Sequence, residues 1–284
     1  MLTTSLLIIP KMNSRNFFLI SILILCLSSN VLSLEPEPFN HQHQVWNELL
    51  LQHVHYDLNG FSSKLDYKQM LKQQGTLNIY LAKLSKVSQD EFFSWSQNQQ
   101  KAFLINAYNA FTVKLILTRY PNLESIKDLG SFFRSPWKQQ FFTLLGKSRS
   151  LDDVEHKLLR QPSVYDDPYI HFAVVCASIG CPALRNEAYI ADKIDQQLKD
   201  NLRRFLSDKS RNRYNVQTNS LEVSKIFDWY EEDFTKGYKG INSLKEFFSL
   251  YGKHLSNDKN IRQLIIKKRV NINFTDYDWR LNDL

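Results

Sequence analysis

The sequence predicts an α+β fold: a predominantly helical single domain with a small, mostly antiparallel sheet. Three observations lead there. Apolar residues recur at helical spacing from Asp66 to Leu117. Short strand-length runs flanked by turn residues occur at 141–149 and 214–223. Helices outnumber strands and do not alternate regularly with them, which argues against a doubly wound α/β sheet. An apolar fraction of 43% and a charged fraction of 23% are ordinary for a globular protein, while 13% aromatic residues can fill a packed core.

The N-terminus is set apart from that domain. Lys11 and Arg15 precede an apolar run from Phe17 to Leu27, and small residues follow, with Val31 and Ser33 at −3 and −1 before Leu34. This is the tripartite pattern of a secretory signal peptide, with an uncleaved anchor as the alternative. Leu25 before Cys26 argues against lipidation, which wants a small residue there. The expected organisation is a signal at 1–33, a linker and the start of the first helix at 34–54, and one globular domain at 55–284. The expected location is periplasmic or extracellular, with no integral membrane span once the signal is cleaved. The formal charge of +7 falls to +5 without Lys11 and Arg15. That surplus is spread out, so no nucleic-acid partner is expected. The expected partners are an envelope substrate or protein, and a solvated surface accounts for most of the charge.

Element by element, Glu35–His43 is polar and carries Pro36 and Pro38, and Val45–Leu51 reads as helix. His41, His43, His53 and His55 flank that helix, but i,i+2 pairs diverge on a helix and make a poor metal site. Breaks near Gly75 and Ser85–Ser88 divide the helical stretch, and Ser88 with Glu91 resembles a capping box. A helix over Asn98–Tyr120 ends at Pro121. Residues 141–149 predict a hairpin turning at Gly146–Lys147. Ser150–Arg160 predicts a short helix capped by Ser150 and Asp153. Ile170–Cys176 predicts a strand and Ala183–Phe205 a long helix with Pro182 at its first position. A second hairpin pairs 214–216 with 220–223, helices follow at 225–234 and 243–255, and Arg269–Phe274 closes the chain as a strand.

The chemistry concentrates in IHFAVVCASIGCPALR, residues 170–185. A strand leading into a helix there delivers Cys176 and Cys181 to a helix N-terminus, whose amides and dipole stabilise a thiolate. With Cys26 removed by cleavage these are the last two cysteines, and in an oxidising compartment they can pair instead. Strand alternation points His171 away from Cys176, so His156 is the expected base. Glu155 falls on the apolar face of its helix and must find a partner or shift its pKa. Asn106 and Asn109, one turn apart, point inward as a site wall or as a structural polar network. Ser178 and the amides of the small-residue loop can bind an anion, and Arg185 a carboxylate or phosphate. The P-loop, GxGxxG, HExxH, GxSxG and CxxC motifs are all lacking. A zinc site joining both thiols to His156 or His171 is a lesser reading, and no cofactor or metal is expected.

The segments LDY (65–67), AFLINAYNAFTVKLIL (102–117), SIKDLGSFFRSPW (125–137), LDDVEHKLLR (151–160), the cysteine segment, SKIFDWYEEDF (224–234) and YDW (277–279) occur in one collinear order. Together they resemble the bacterial domain-of-unknown-function family 547, from about residue 55 to the C-terminus. The resemblance implies a single domain and assigns no activity or residue role. From residue chemistry, the expected function is a thiol-dependent hydrolase or acyltransferase. Cys176 or Cys181 is its nucleophile, His156 its base, Glu155 or Asn106 the orienting group, and Asn109, Ser178, Arg185 and His171 contact the substrate. The alternative is a non-catalytic envelope binding or scaffold module with a Cys176–Cys181 disulfide.

Overall fold

The structure is a computed structural model and describes residues 38–131 and 134–284; the expected signal segment lies outside the described residues. Its packed body runs from Phe39 to Leu284. Residues 39–43 of the stretch read as linker therefore belong to the packed body, and helix α1 (Gln44–His53) buries Trp46, Leu49 and Leu50.

After α1, strands β1 (Val54–Tyr56) and β2 (Ser63–Leu65) form an antiparallel pair. Helices α2 (Tyr67–Lys72), α3 (Gln74–Lys86), α4 (Gln89–Ser94) and α5 (Gln97–Leu117) follow. The first break falls at Gln73, and Gly75 lies inside α3. Helix α5 is the axis of the core. A reciprocal capping box of Ser96 and Gln99 starts it, and every residue from Ala102 to Val113 is buried. A helix apolar nearly all round belongs in an interior, so its two asparagines must find partners inside the protein.

Strands β3 (Phe142–Leu144) and β4 (Lys147–Arg149) form the expected hairpin, turning at Leu145 and Gly146 with positive φ at both. Ser150 and Asp153 then cap one another, each backbone N–H donating to the other's side chain. The helix they start is π-helical over Asp153–Leu159, and Arg160 N–H reaches back five residues to the Glu155 carbonyl. Such wide turns are rare and recur at functional sites.

The strand expected at Ile170–Cys176 is a 3₁₀ turn, Pro168–Phe172, followed by irregular chain. Asp167 starts the turn by accepting from Tyr169 N–H. Beyond it the Asn109 amide donates to the Ala173 carbonyl and accepts from Val175 N–H, doing the work of a neighbouring strand. The helix expected from Ala183 begins only at Ile194, as α6 (Ile194–Ser207). Ahead of it, side-chain amides again hold the backbone. Asn201 donates to Ala183, Gln197 brackets Ala188 and Ile190, and Asn106 both donates to and accepts from Tyr189. Pro182 is therefore not a helix start.

Strands β5 (Arg213–Asn215) and β6 (Ser220–Val223) are antiparallel, and β7 (Asn271–Phe274) joins β6 in parallel. The expected helix 225–234 is two pieces, α7 (Ile226–Trp229) and α8 (Glu231–Thr235), interrupted at Tyr230. Helices α9 (Leu244–Ser249), α10 (Gly252–Leu255) and the unforeseen α11 (Lys259–Ile266), capped by Asp258, precede β7. These helices and small sheets make an α+β fold. Among the described residues, no helix is long and apolar enough to cross a membrane.

Candidate functional site

The C-terminal segment lies along the cysteine loop. Ile179 and Gly180 donate backbone N–H groups to Arg280 and Asp278, and Asn282 donates to Ala177. Gly180 has to be glycine, since a Cβ there would sit 2.9 Å from the Tyr277 ring and 3.0 Å from the Asp278 carbonyl. Ala177, between Cys176 and Ser178, holds φ at +60°, a conformation that L-residues occupy at a cost. The loop is thus bent sharply beneath the C-terminal strap.

A cleft of about 320 Å³ opens where this strap meets the π-helix and the Tyr230 break. Its wall brings together Glu155 and His156 of the π-helix, His171 of the 3₁₀ turn, Cys176, Tyr230 and Tyr277. The loss of the expected strand is what allows this convergence. Without strand alternation, His171 and Cys176 face one cavity.

His171 is the most constrained group there. Its side chain is 1% exposed, and Nε2 lies 2.7 Å from Asp233 Oδ2. Its ring stacks on Tyr230 with centroids 3.8 Å apart. Burial pulls its pKa below the ordinary imidazole value, and the bond to Asp233 opposes that pull. Burial acts to raise Asp233, but the bonds from His171 and Arg160 win and hold its carboxyl well below the usual range. An ionised carboxylate only accepts, so Nε2 carries the proton and Nδ1 presents a lone pair. That Nδ1 is buried and without a hydrogen-bond partner, 4.0 Å from Glu155 Oε1.

Tyr230 fixes Glu155 from the other side, its hydroxyl donating to Oε1 at 2.6 Å. Burial, then the neighbouring Glu155, raises the Tyr230 pKa, so this hydroxyl stays protonated at neutral pH. His156 is a rim residue. Its side chain is 37% exposed, Nδ1 meets Arg160 Nη1 at 2.6 Å, and Nε2 lies 3.7 Å from Asp152.

Cys176 and Cys181 are joined as a disulfide. Around it, Cys176 Sγ lies 3.1 Å from both Ser178 Oγ and the Tyr277 hydroxyl, and Cys176 N–H points to Cys181 Sγ at 2.9 Å. Among the described residues, no histidine hydrogen-bonds to either sulfur. Burial pushes the Tyr277 hydroxyl up, so it too remains a proton donor.

The remaining expected site residues lie inside the packed body and do not line this cleft. Asn106 and Asn109 spend their amides on backbone groups, as described above. Arg185 is not in a helical first turn. Its buried guanidinium is taken up by Glu187, Asp200, Asn201 and the Gln197 carbonyl. Ser178 is buried against the sulfurs. Asp233, Tyr230 and Tyr277 were not named from the sequence, although their motifs, SKIFDWYEEDF and YDW, stood out. Their three-residue spacing (Tyr230, Asp233) was the available signal.

Among the described residues, no group of three or more His, Cys, Asp or Glu is arranged to hold a metal ion. Residues 92–206 match the family model described as protein of unknown function, DUF547. The matched segment covers 115 of the chain's 284 residues. That segment is shorter than the 55–284 over which the motifs resemble the family. It contains Glu155, His156, His171 and both cysteines, whereas Tyr230, Asp233 and Tyr277 lie beyond it. No curated protein and no solved structure matches the chain.

Proposed function

We propose that the cleft is the site of a thiol-dependent hydrolase or acyltransferase that works outside the cytoplasm. The carrying observation is His171, locked to Asp233 through Nε2, with an unpartnered buried Nδ1 in the cleft that Cys176 also lines. This moves the base from His156 to His171. A neutral imidazole with a fixed tautomer is the ordinary form of a general base. The signal pattern at 1–33 supports export.

The nucleophile has to be released first. A dithiol reductant passes two electrons to the Cys176–Cys181 bond, giving two thiols and an oxidised dithiol. His171 Nδ1 then takes the Cys176 proton, and the sulfur bonds to the substrate carbonyl carbon. The carbonyl π pair moves to oxygen, where the Tyr277 hydroxyl donates. That pair returns as the bond to the leaving group breaks, and the leaving group takes the proton from His171. Water or an acceptor then releases the thioester by the reverse order of proton transfers.

The test is hydrolysis of p-nitrophenyl acetate by the full chain, with and without dithiothreitol. The expected result is turnover that requires dithiothreitol and is lost in Cys176→Ser. Fully reduced protein, its three cysteines (Cys26 included) all titratable, with no turnover above Cys176→Ser overturns the proposal.

The disulfide favours a second reading, a binding or scaffold module in which the pair is permanent. It predicts thiols that stay unreactive under mild reduction and a stability that falls when they are reduced.

A further inference from the structure

Asp152 and Glu155 lack the partners that neighbouring carboxylates have. Asp153, between them in sequence, pairs with Lys157 at 2.6 Å, and Asp233 pairs with Arg160 at 2.6 Å. Asp152 and Glu155 line the cleft, and the basic groups within ion-pair reach of them are imidazoles. His156 Nε2 lies 3.7 Å from Asp152, and His171 Nδ1 lies 4.0 Å from Glu155. Among the described residues, no lysine or arginine lines the cleft. Arg160 spends its bonds on Asp233 and His156. Glu155 is 6% exposed, and a carboxylate so far out of water needs a cation or several donors. The Tyr230 hydroxyl supplies one donor.

His171 Nδ1 adds a third acceptor to this wall, buried and without a partner. What the wall lacks is a positively charged donor. Much of the remaining lining is aromatic. The ring planes of Trp137, Trp229 and Tyr277 cross that of Trp279 at 66°, 31° and 51°, so the rings turn their faces in different directions. Tilted rings suit a cation, which is attracted to any ring face within about 6 Å, better than they suit a flat ligand. The Trp279 ring already holds one cation, the Lys127 ammonium at 3.8 Å, which leaves Trp137 and the 44% exposed Trp229 for another. Val174 and Ile226 add aliphatic surface to the same cleft. A quaternary ammonium would suit the rings but brings no N–H to the carboxylates. A primary ammonium brings three.

We propose that the cleft binds its substrate through an aliphatic primary ammonium group, held on the Asp152–Glu155 side with its alkyl stem against Trp229 and Ile226. This rests on the proposed function and names a substrate class for the same cleft. It is tested on the oxidised chain, where the Cys176–Cys181 bond is closed, so binding is read without any turnover.

The probes are n-hexylammonium, its neutral counterpart n-hexanol, and tetramethylammonium, titrated at fixed ionic strength against tryptophan fluorescence and by calorimetry. Hexylammonium is expected to bind about tenfold more tightly than either of the others, the equivalent of one charge-assisted hydrogen bond. Glu155→Gln keeps the shape and the acceptor for Tyr230, and Asp152→Asn alters a side chain that is 28% exposed, so the fold survives both changes. Each should weaken hexylammonium by about tenfold and leave hexanol unchanged. No binding of hexylammonium, hexanol or tetramethylammonium binding as tightly, or hexylammonium binding that neither variant weakens each overturns the proposal. Failure here leaves the ester hydrolysis result untouched, and failure of that hydrolysis leaves this binding measurable.

Discussion

His43 and His171 are both buried histidines with one ring nitrogen paired and the other without a partner. They differ in what the paired nitrogen meets. His43 Nδ1 lies 2.7 Å from the Tyr80 hydroxyl, which can donate or accept, so the tautomer of His43 is not fixed by its partner. His171 Nε2 meets a carboxylate that only accepts, so its free nitrogen is a lone pair. Burial, and then nearby His41, pushes His43 down to about 3 with nothing opposing. For His171 the carboxylate partly offsets burial. The second difference is access, since His171 lines a cleft beside a sulfur and two tyrosine hydroxyls. Burial alone makes a structural histidine; a charged partner and an open face make one that can take a proton.

The sharpest way to break this contrast is to remove each imidazole in turn. His171→Asn should slow alkylation of the reduced Cys176 by iodoacetamide about 10³-fold, within the range of a lost general base, while His43→Asn changes it less than about twofold. Asp233→Asn replaces the anionic acceptor while keeping its shape. It should cost about 10²-fold in the same rate, because the tautomer and ring orientation are no longer held. Arg160, which also bonds Asp233, loses its partner too, so the unfolding midpoint must be measured alongside.

A smaller effect concerns the chain between His171 and Cys176. Asn109→Ala leaves the Ala173 carbonyl and Val175 N–H without partners and should cost about 2 kcal/mol in urea unfolding. The smallest is a pH slope. Both histidines have folded pKa values below the unfolded 6.5, so between those values the unfolded chain binds more protons. Stability is therefore full above about pH 6.5 and falls on acidification, for His43 down to about pH 3. His43→Gln should flatten that slope by about 1.4 kcal/mol per pH unit between pH 6 and 4, read from urea unfolding at stepped pH. An unchanged slope would mean that His43 titrates as an ordinary exposed group.

The local signals were legible where hydrogen bonds close within a short stretch of chain. The α5 helix, the hairpin at Gly146 and the Ser150–Asp153 cap followed from spacing and turn chemistry, because their hydrogen bonds close within a few residues. The failures cluster in 170–193, where side-chain amides from distant helices do that work. Asn109, Asn106, Gln197 and Asn201 hold irregular backbone that apolar composition alone makes look like strand or helix. A run such as Phe172–Val175 reads identically whether its partners are a neighbouring strand or an asparagine. The site suffered the same way. Glu155, His171 and Cys176 stand out by residue type, but a strand at 170–176 would point His171 away from Cys176, whereas in the structure both line one cleft. Asp233, 62 residues from His171, was out of reach of any local pattern.

The most direct measurement is the pH–rate profile for alkylation of Cys176 after mild reduction, with the modified peptide mapped, in the wild type and in His171→Asn. A base that serves the released thiol predicts rapid modification at neutral pH in the wild type, with the inflection well below the ordinary thiol value of about 8.5 and returned to it in the variant. Superimposed profiles, both inflecting near about 8.5, would contradict the assignment of His171 as the base of this cleft.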